Sequence, residues 1–187
     1  MKLVIYDFDG TIFKSPDRLQ GKKIYKKATG ENLKFSGWWQ ELESLMPPIV
    51  PLFPNQTYFV NKVVQNYRNQ DKNSKIVLMT GRPVSLKDRI LQICDSQNII
   101  FDEHYFAGQP GQIGNNTLEI KKNFIKNLLN ANLSSVEIYE DRTNHVIEFC
   151  NFAKKCLQEH KNLQKICVYS VVEDQYYKYF QENNDFT

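Results

Sequence analysis

Histidine is scarce in this 187-residue chain, with three in all, and none of its four cysteines forms a C-x-x-C pair. Zinc-site spacing is therefore missing. Cys150 and Cys156 fall on the apolar stripe of a predicted helix, and Cys167 lies in a strand-like run. With Cys94 they read as buried free thiols, as expected of a reducing, cytoplasmic setting. No apolar run approaches the ~18 residues of a membrane span. Met1 leads straight into a strand-like run, which leaves no room for a signal peptide. No G-x-x-x-x-G-K-[ST] is present, which excludes a P-loop kinase. A dominant charge is also lacking: 24 Lys and Arg face 21 Asp and Glu, a net +3. That falls short of a dedicated nucleic-acid binder and reads as a solvated surface of mixed sign. Internal repeats and long low-complexity segments are absent, and no feature calls for an obligate protein partner.

What is present is a regular alternation. Leu3–Tyr6, Lys75–Met79, Asn98–Phe101, Val136–Tyr139 and Ile166–Val172 are apolar runs rich in β-branched and aromatic residues, and they predict five strands. Between them lie stripes at i, i+3, i+4 spacing: Phe59, Val60, Val63, Val64 and Tyr67; Leu86, Ile90, Ile93 and Cys94; Val146, Phe149, Cys150, Ala153, Cys156 and Leu157. Strands alternating with helices imply βαβ units and a mostly parallel sheet covered on both faces. The length fits a single domain spanning residues 1–187. Residues 14–54 break the rhythm: they are polar, carry Trp38-Trp39 and end in a proline-rich turn. Their place just after the first strand suits a small cap insertion over the mouth of a site. The tail from Glu173 to Thr187 is polar and Tyr-rich, and reads as a last helix or a frayed end.

The chemistry concentrates in Asp7-Phe8-Asp9-Gly10-Thr11. Two carboxylates two residues apart stand where a buried strand empties into a loop, the end of a parallel sheet at which ligands bind. Such a pair can hold a hard divalent cation, and can also divide nucleophilic and proton-transfer roles. Gly10 permits a tight turn, and Thr11 offers a hydroxyl and a backbone donor.

This run resembles the first motif of the haloacid-dehalogenase-like phosphohydrolases, and three later segments follow that family's order. Thr80-Gly81-Arg82-Pro83 at the end of the second strand matches the second motif, a hydroxyl placed to bind a phosphoryl oxygen before a helix N-terminus. Arg82 can grip phosphate bidentately. The third motif is a lysine, for which Lys121 and Lys122 both qualify. Leu118, Phe124, Ile125, Leu128 and Leu129 define an apolar arc, with Lys121 near its middle and Lys122 toward its edge. A core-facing lysine is costly unless it meets an anion, so Lys121 is favoured. Glu140-Asp141-Arg142 fills the place of the fourth motif, an acidic pair completing a metal site; the commoner pair is two Asp. Asp141 is the expected direct ligand, with Glu140 acting through water or holding the lysine. The acid-acid-Arg and Thr-Gly-Arg motifs are similar to polynucleotide 3′-phosphatases and to the Swiss Army Knife RNA-repair-like branch. Gly37-Trp38-Trp39 resembles that branch's tryptophan pair.

The resemblance implies a three-layer α/β/α Rossmann-like fold and a Mg²⁺-dependent phosphomonoesterase. Asp7 would be the nucleophile and Asp9 the general acid and base, with Thr80 and Lys121 holding phosphoryl oxygens. Asp7, the backbone carbonyl of Asp9, Asp141 and Glu140 would serve the cation. Thr11, Gly81, Arg82, Arg142, Trp38 and Trp39 would meet a phosphorylated substrate: a nucleic-acid 3′-end, a nucleotide or a small metabolite. Trp38 and Trp39 can stack on a base or simply pack the insertion down, and Arg142 can face substrate or brace the acids. His145 can lie near the site. The rival readings are a mononucleotide or sugar-phosphate phosphatase, and a non-catalytic binding protein on the same scaffold.

Overall fold

The structure, a computed structural model, describes residues 1–34, 37–108, 117–129 and 132–183. Among the described residues six strands form one sheet: β1 (Lys2–Tyr6), β2 (Ser74–Pro83), β3 (Glu103–Gly108), β4 (Ser135–Glu140), β5 (Lys165–Val172) and β6 (Gln175–Asn183), in the order β3-β2-β1-β4-β5-β6. All neighbours are parallel except β5 and β6. The helices are α1 (Arg18–Thr29), α2 (Asn61–Arg68), α3 (Lys87–Asp95), α4 (Thr117–Leu128) and α5 (Thr143–Glu159).

The pleat sorts β1 between two cores. Val4 and Tyr6 face one with Val63 and Val64 of α2 and Ile90 and Ile93 of α3. Leu3 and Ile5 face the other with Ile125 of α4 and Phe149, Ala153 and Cys156 of α5. Both faces of β1 are therefore covered, which is why its sequence is continuously apolar rather than alternating. The result is the three-layer α/β/α arrangement. Tyr6, Tyr139 and Tyr169 stand in register on β1, β4 and β5, and their rings stack with centroids 4.8 and 4.5 Å apart. All four cysteines are buried and free. Among the described residues no helix is long and apolar enough to cross a membrane.

Two expectations are corrected. The run 98–101 is not a strand. Asn98 has φ 54°, and the Tyr67 hydroxyl takes both backbone groups of Ile100 at 2.8 Å, so this backbone leaves no ladder to form. Ile99 and Phe101 are apolar because they pack into the core, and β3 begins at Glu103. The tail is neither helix nor frayed through 183: it turns at Glu173 (φ 54°) and returns along β5 as a sixth strand. Residues 184–187 lie outside the described residues.

The segment 14–54 holds α1 and two 3-10 turns, Trp38–Gln40 and Leu42–Leu45. It buries Trp38, Leu45, Ile49 and Val50 in the α2–α3 side of the core. Asp17 caps α1, accepting from Gln20 N while the Gln20 side chain accepts from Asp17 N. Gly30 closes the helix in the left-handed region.

Candidate active site

β1 lies between β2 and β4, and the loop after it opens between their C-terminal ends, where an open α/β sheet binds ligands. Asp7 follows β1 directly and donates its N–H to Tyr139 O at 3.0 Å. Lys121, on the core side of α4, is 1% exposed. Its Nζ donates to Asp7 Oδ1 at 2.8 Å and Glu140 Oε2 at 2.7 Å. Lys122 instead pairs with Glu119 and Glu148.

Oxygens of Asp7, Glu140 and Asp141 lie within 4.8 Å of one another. Two of these three acids, Asp7 and Glu140, share one buried lysine. Burial, and then the Glu140 charge, push the Asp7 carboxyl up to about 6 despite Lys121. Burial, Asp7 and Glu140 push Asp141 up to about 8. Glu140 goes the other way: burial opposes its ionisation, but Lys121 and His145 outweigh that and hold it below the usual carboxylate range. Asp7 Oδ2 and Asp141 Oδ1 are buried with no hydrogen-bond partner. Unpartnered carboxylate oxygens converging with a third acid fit a hard divalent cation. Gly10 leaves room for this: at φ 71° a Cβ there would stand 2.2 Å from Asp141 Oδ2.

Asp9 belongs to a different cluster. Its carboxylate accepts from Arg82 Nε at 3.0 and 2.9 Å, from Arg82 Nη2 at 2.8 Å and from Ser15 Oγ at 2.5 Å. Arg82 Nη1 donates to Ser44 Oγ at 2.7 Å. The bidentate grip expected of Arg82 on phosphate is thus directed at Asp9. The Asp9 carboxylate is not one of the three whose oxygens converge. Thr80 is fully buried, with Oγ1 accepting from Arg82 N at 3.2 Å, and the Thr11 hydroxyl is buried without a partner.

The tryptophan pair divides. Trp38 is buried, donates Nε1–H to Pro16 O at 2.9 Å, and packs where a Cβ on Gly21 would stand. Trp39 is 43% exposed, with the Arg82 guanidinium 5.1 Å from its ring centroid. Trp39, Arg82, Asp9, Gly81, Thr117, Asp141 and Arg142 line a cleft of about 210 Å³. Arg142 reaches it from beside Glu140, with Nε 3.8 Å from Glu140 Oε1. His145 Nδ1 lies 3.3 Å from Glu140 Oε2, near the site as expected. Periodicity does not disclose Ser15, Ser44 and Thr117, because a hydroxyl on a short polar side chain carries no periodic signal that would single it out.

A search of curated proteins and a search of solved structures each return no match. Residues 17–186 match the family described as HAD domain family 1 in Swiss Army Knife RNA repair proteins, and with almost its whole length covered the chain belongs to that family.

Proposed function

We propose that the chain is a divalent-cation-dependent phosphomonoester hydrolase acting through an aspartyl-phosphate on Asp7. The observation that carries this is the buried Asp7–Lys121–Glu140 bridge beside Asp141, with Asp7 Oδ2 and Asp141 Oδ1 left unpartnered. The family match begins after Asp7 and Asp9, so their roles rest on their position at the end of β1.

Asp7, Glu140 and Asp141 would hold the cation, Mg²⁺ by the hardness of these oxygen donors, and it would offset repulsion between the acids and a dianionic phosphate. Asp7 attacks phosphorus, and the ester oxygen leaves with a proton from Asp9. Asp9, now the base, takes a proton from the water that cleaves the acyl phosphate, returning Asp7 and inorganic phosphate. Arg82 and Ser15 keep the Asp9 carboxylate in one orientation at the cleft wall. Lys121 favours the ionised form of Asp7 against burial and Glu140, and offers charge to the transferring oxygens. Residues 14–54 act as a partial lid, contributing Trp39 and Ser44.

The substrate we favour is a nucleic-acid or nucleotide 3′-end. Trp39 offers an exposed ring for a base, and Arg142 a cation for a further phosphate. The small cleft would equally admit a mononucleotide or sugar phosphate, which is the second reading. Buried free thiols suit a cytoplasmic setting.

Phosphate release from a 3′-phosphorylated oligonucleotide, nucleoside monophosphates, sugar phosphates and an aryl phosphate tests this, with Mg²⁺ or EDTA. Asp7→Asn should fold normally and lose at least a thousandfold in turnover; comparable rates in wild type and variant would sink the nucleophile assignment. Absence of release from every member would favour the binding-protein reading.

A further inference from the structure

The net +3 of the chain conceals a segregation of charge. Residues 14–34 hold Lys14, Arg18, Lys22, Lys23, Lys26, Lys27 and Lys34 against Asp17 and Glu31, a net +5, which leaves the rest of the molecule at −2. Most of this charge is on α1. With Gly21 turned inward against Trp38, the ~100° step of a helix places Lys22, Lys23, Lys26 and Lys27 on one arc of the opposite face. Lys23, Lys26 and Lys27 are exposed and Lys22 is half-buried. None of the four has an ion-pair partner among the described residues. Such a face repels itself, and unlike the pairs Lys122–Glu119 and Lys122–Glu148 on α4 it is not neutralised from within the chain.

The first turn of α1 shares a groove with the candidate site. A groove of about 670 Å³ runs from Gly10 and Asp141 along Lys14 and Ser15 to Gln20 in the first turn of α1. Asp141 is shared with the cleft that holds Trp39 and Arg142. The opposite wall of the groove carries Glu173 and Asp174, the latter 2.9 Å from Lys14. With Asp174 paired to Lys14, Glu173 on that wall and the unpaired lysines of α1 would turn a polyanion leaving the cleft toward the helix.

We propose that the outer face of α1 docks the sugar–phosphate backbone of single-stranded RNA, several nucleotides away from the end held in the cleft. A cleft of about 210 Å³ is small for a base pair, which favours an unpaired strand at its mouth. Lysines on a convex helix face contact phosphates without reading bases, so the docking is sequence-independent. The inference rests on the nucleic-acid-end reading of the cleft for its biological meaning, but not for its physical test.

The probe is a fluorescein-labelled 20-nucleotide single-stranded RNA with hydroxyl ends, whose binding needs no phosphatase activity. Anisotropy titrations at several salt concentrations would compare wild type with a variant carrying Lys22→Gln, Lys23→Gln, Lys26→Gln and Lys27→Gln. A charge-matched control carries Lys62→Gln, Lys72→Gln, Lys155→Gln and Lys161→Gln, all exposed and outside α1. The α1 variant should bind at least tenfold more weakly, with a salt slope reduced by about 3, from ~0.7 per phosphate contact for single strands. The control should bind as wild type does. Equal loss in both variants, equal binding by wild type and the α1 variant, or no RNA binding with binding to phosphatidylserine vesicles instead, would each overturn the proposal. Aryl-phosphate turnover by the wild type, measured in parallel, reports on the phosphatase reading alone. RNA docking through α1 without turnover would thus retire the enzyme and keep the surface.

Discussion

Lys121 is where charge and burial conflict most sharply. An ammonium this deep is tolerated because Asp7 and Glu140 meet it, and they in turn depend on it. Replacing it by Met keeps volume and removes the charge, leaving two buried carboxylates facing each other. Lys121→Met should cost about 3–5 kcal/mol at neutral pH, the range for breaking a buried pair from one side. Urea unfolding at pH 7 and pH 5 checks the cause: the loss should shrink at pH 5, where Asp7 takes up a proton, and an equal loss at both would contradict the charge account. The place of this lysine was legible in sequence because helical periodicity alone put it inside the apolar arc. Arg82 was not legible in the same way. Its guanidinium sits on a long flexible stem, and whether it faces a ligand or Asp9 depends on Ser15, Ser44 and Trp39, which come to it from the distant segment 14–54.

Among the elements, α3 has a role its apolar stripe does not disclose. Arg89, 6% exposed, donates to the carbonyls of Leu45, Leu52 and Pro51 at 2.9, 2.7 and 2.8 Å and to Gln92 Oε1 at 2.7 Å. It clamps the proline-rich end of the 14–54 segment to the body of the fold. Arg89→Met strands several carbonyls and should destabilise by about 3 kcal/mol, from ~1–3 for each buried group left unsatisfied. Limited proteolysis should cut first between residues 46 and 54 in that variant, and an unchanged cleavage pattern would deny the clamp. The strands teach a related lesson. β1 and β4 were legible because both faces of each are covered, whereas the run 98–101 mimics a strand because it is buried. The sixth strand, half-exposed at a sheet edge, lacks the apolar run that identifies a covered strand.

For the molecule as a whole, the acid cluster links stability to pH and, under the proposed function, to cations. Asp7 and Asp141 titrate near 6 and near 8 in the fold, against about 4 in an unfolded chain. Between those values the folded form binds more protons than the unfolded one, so this pair's contribution to stability declines as pH rises from about 4 through 8. Glu140, held low, acts oppositely, but only as pH falls below the ordinary carboxylate range. In EDTA the melting temperature should therefore fall from pH 5.5 to pH 8. Mg²⁺ should restore most of that loss at pH 8, with release of protons measurable by calorimetry in buffers of different ionisation enthalpy. A Mg²⁺-insensitive melting curve at pH 8 would remove the cation site. By itself the sequence determined the alternating α/β architecture, the gathering of the Asp7, Thr80 and Glu140 motifs at the C-terminal ends of β1, β2 and β4, and the depth of Lys121. These follow from local periodicity and from strands that empty into polar loops. Only the tertiary structure decided that Asp9 answers to Arg82, that Trp38 is core while Trp39 faces the cleft, and that 98–101 yields to β3. Each of those depends on which distant segments come to lie side by side, and neither periodicity nor composition encodes that.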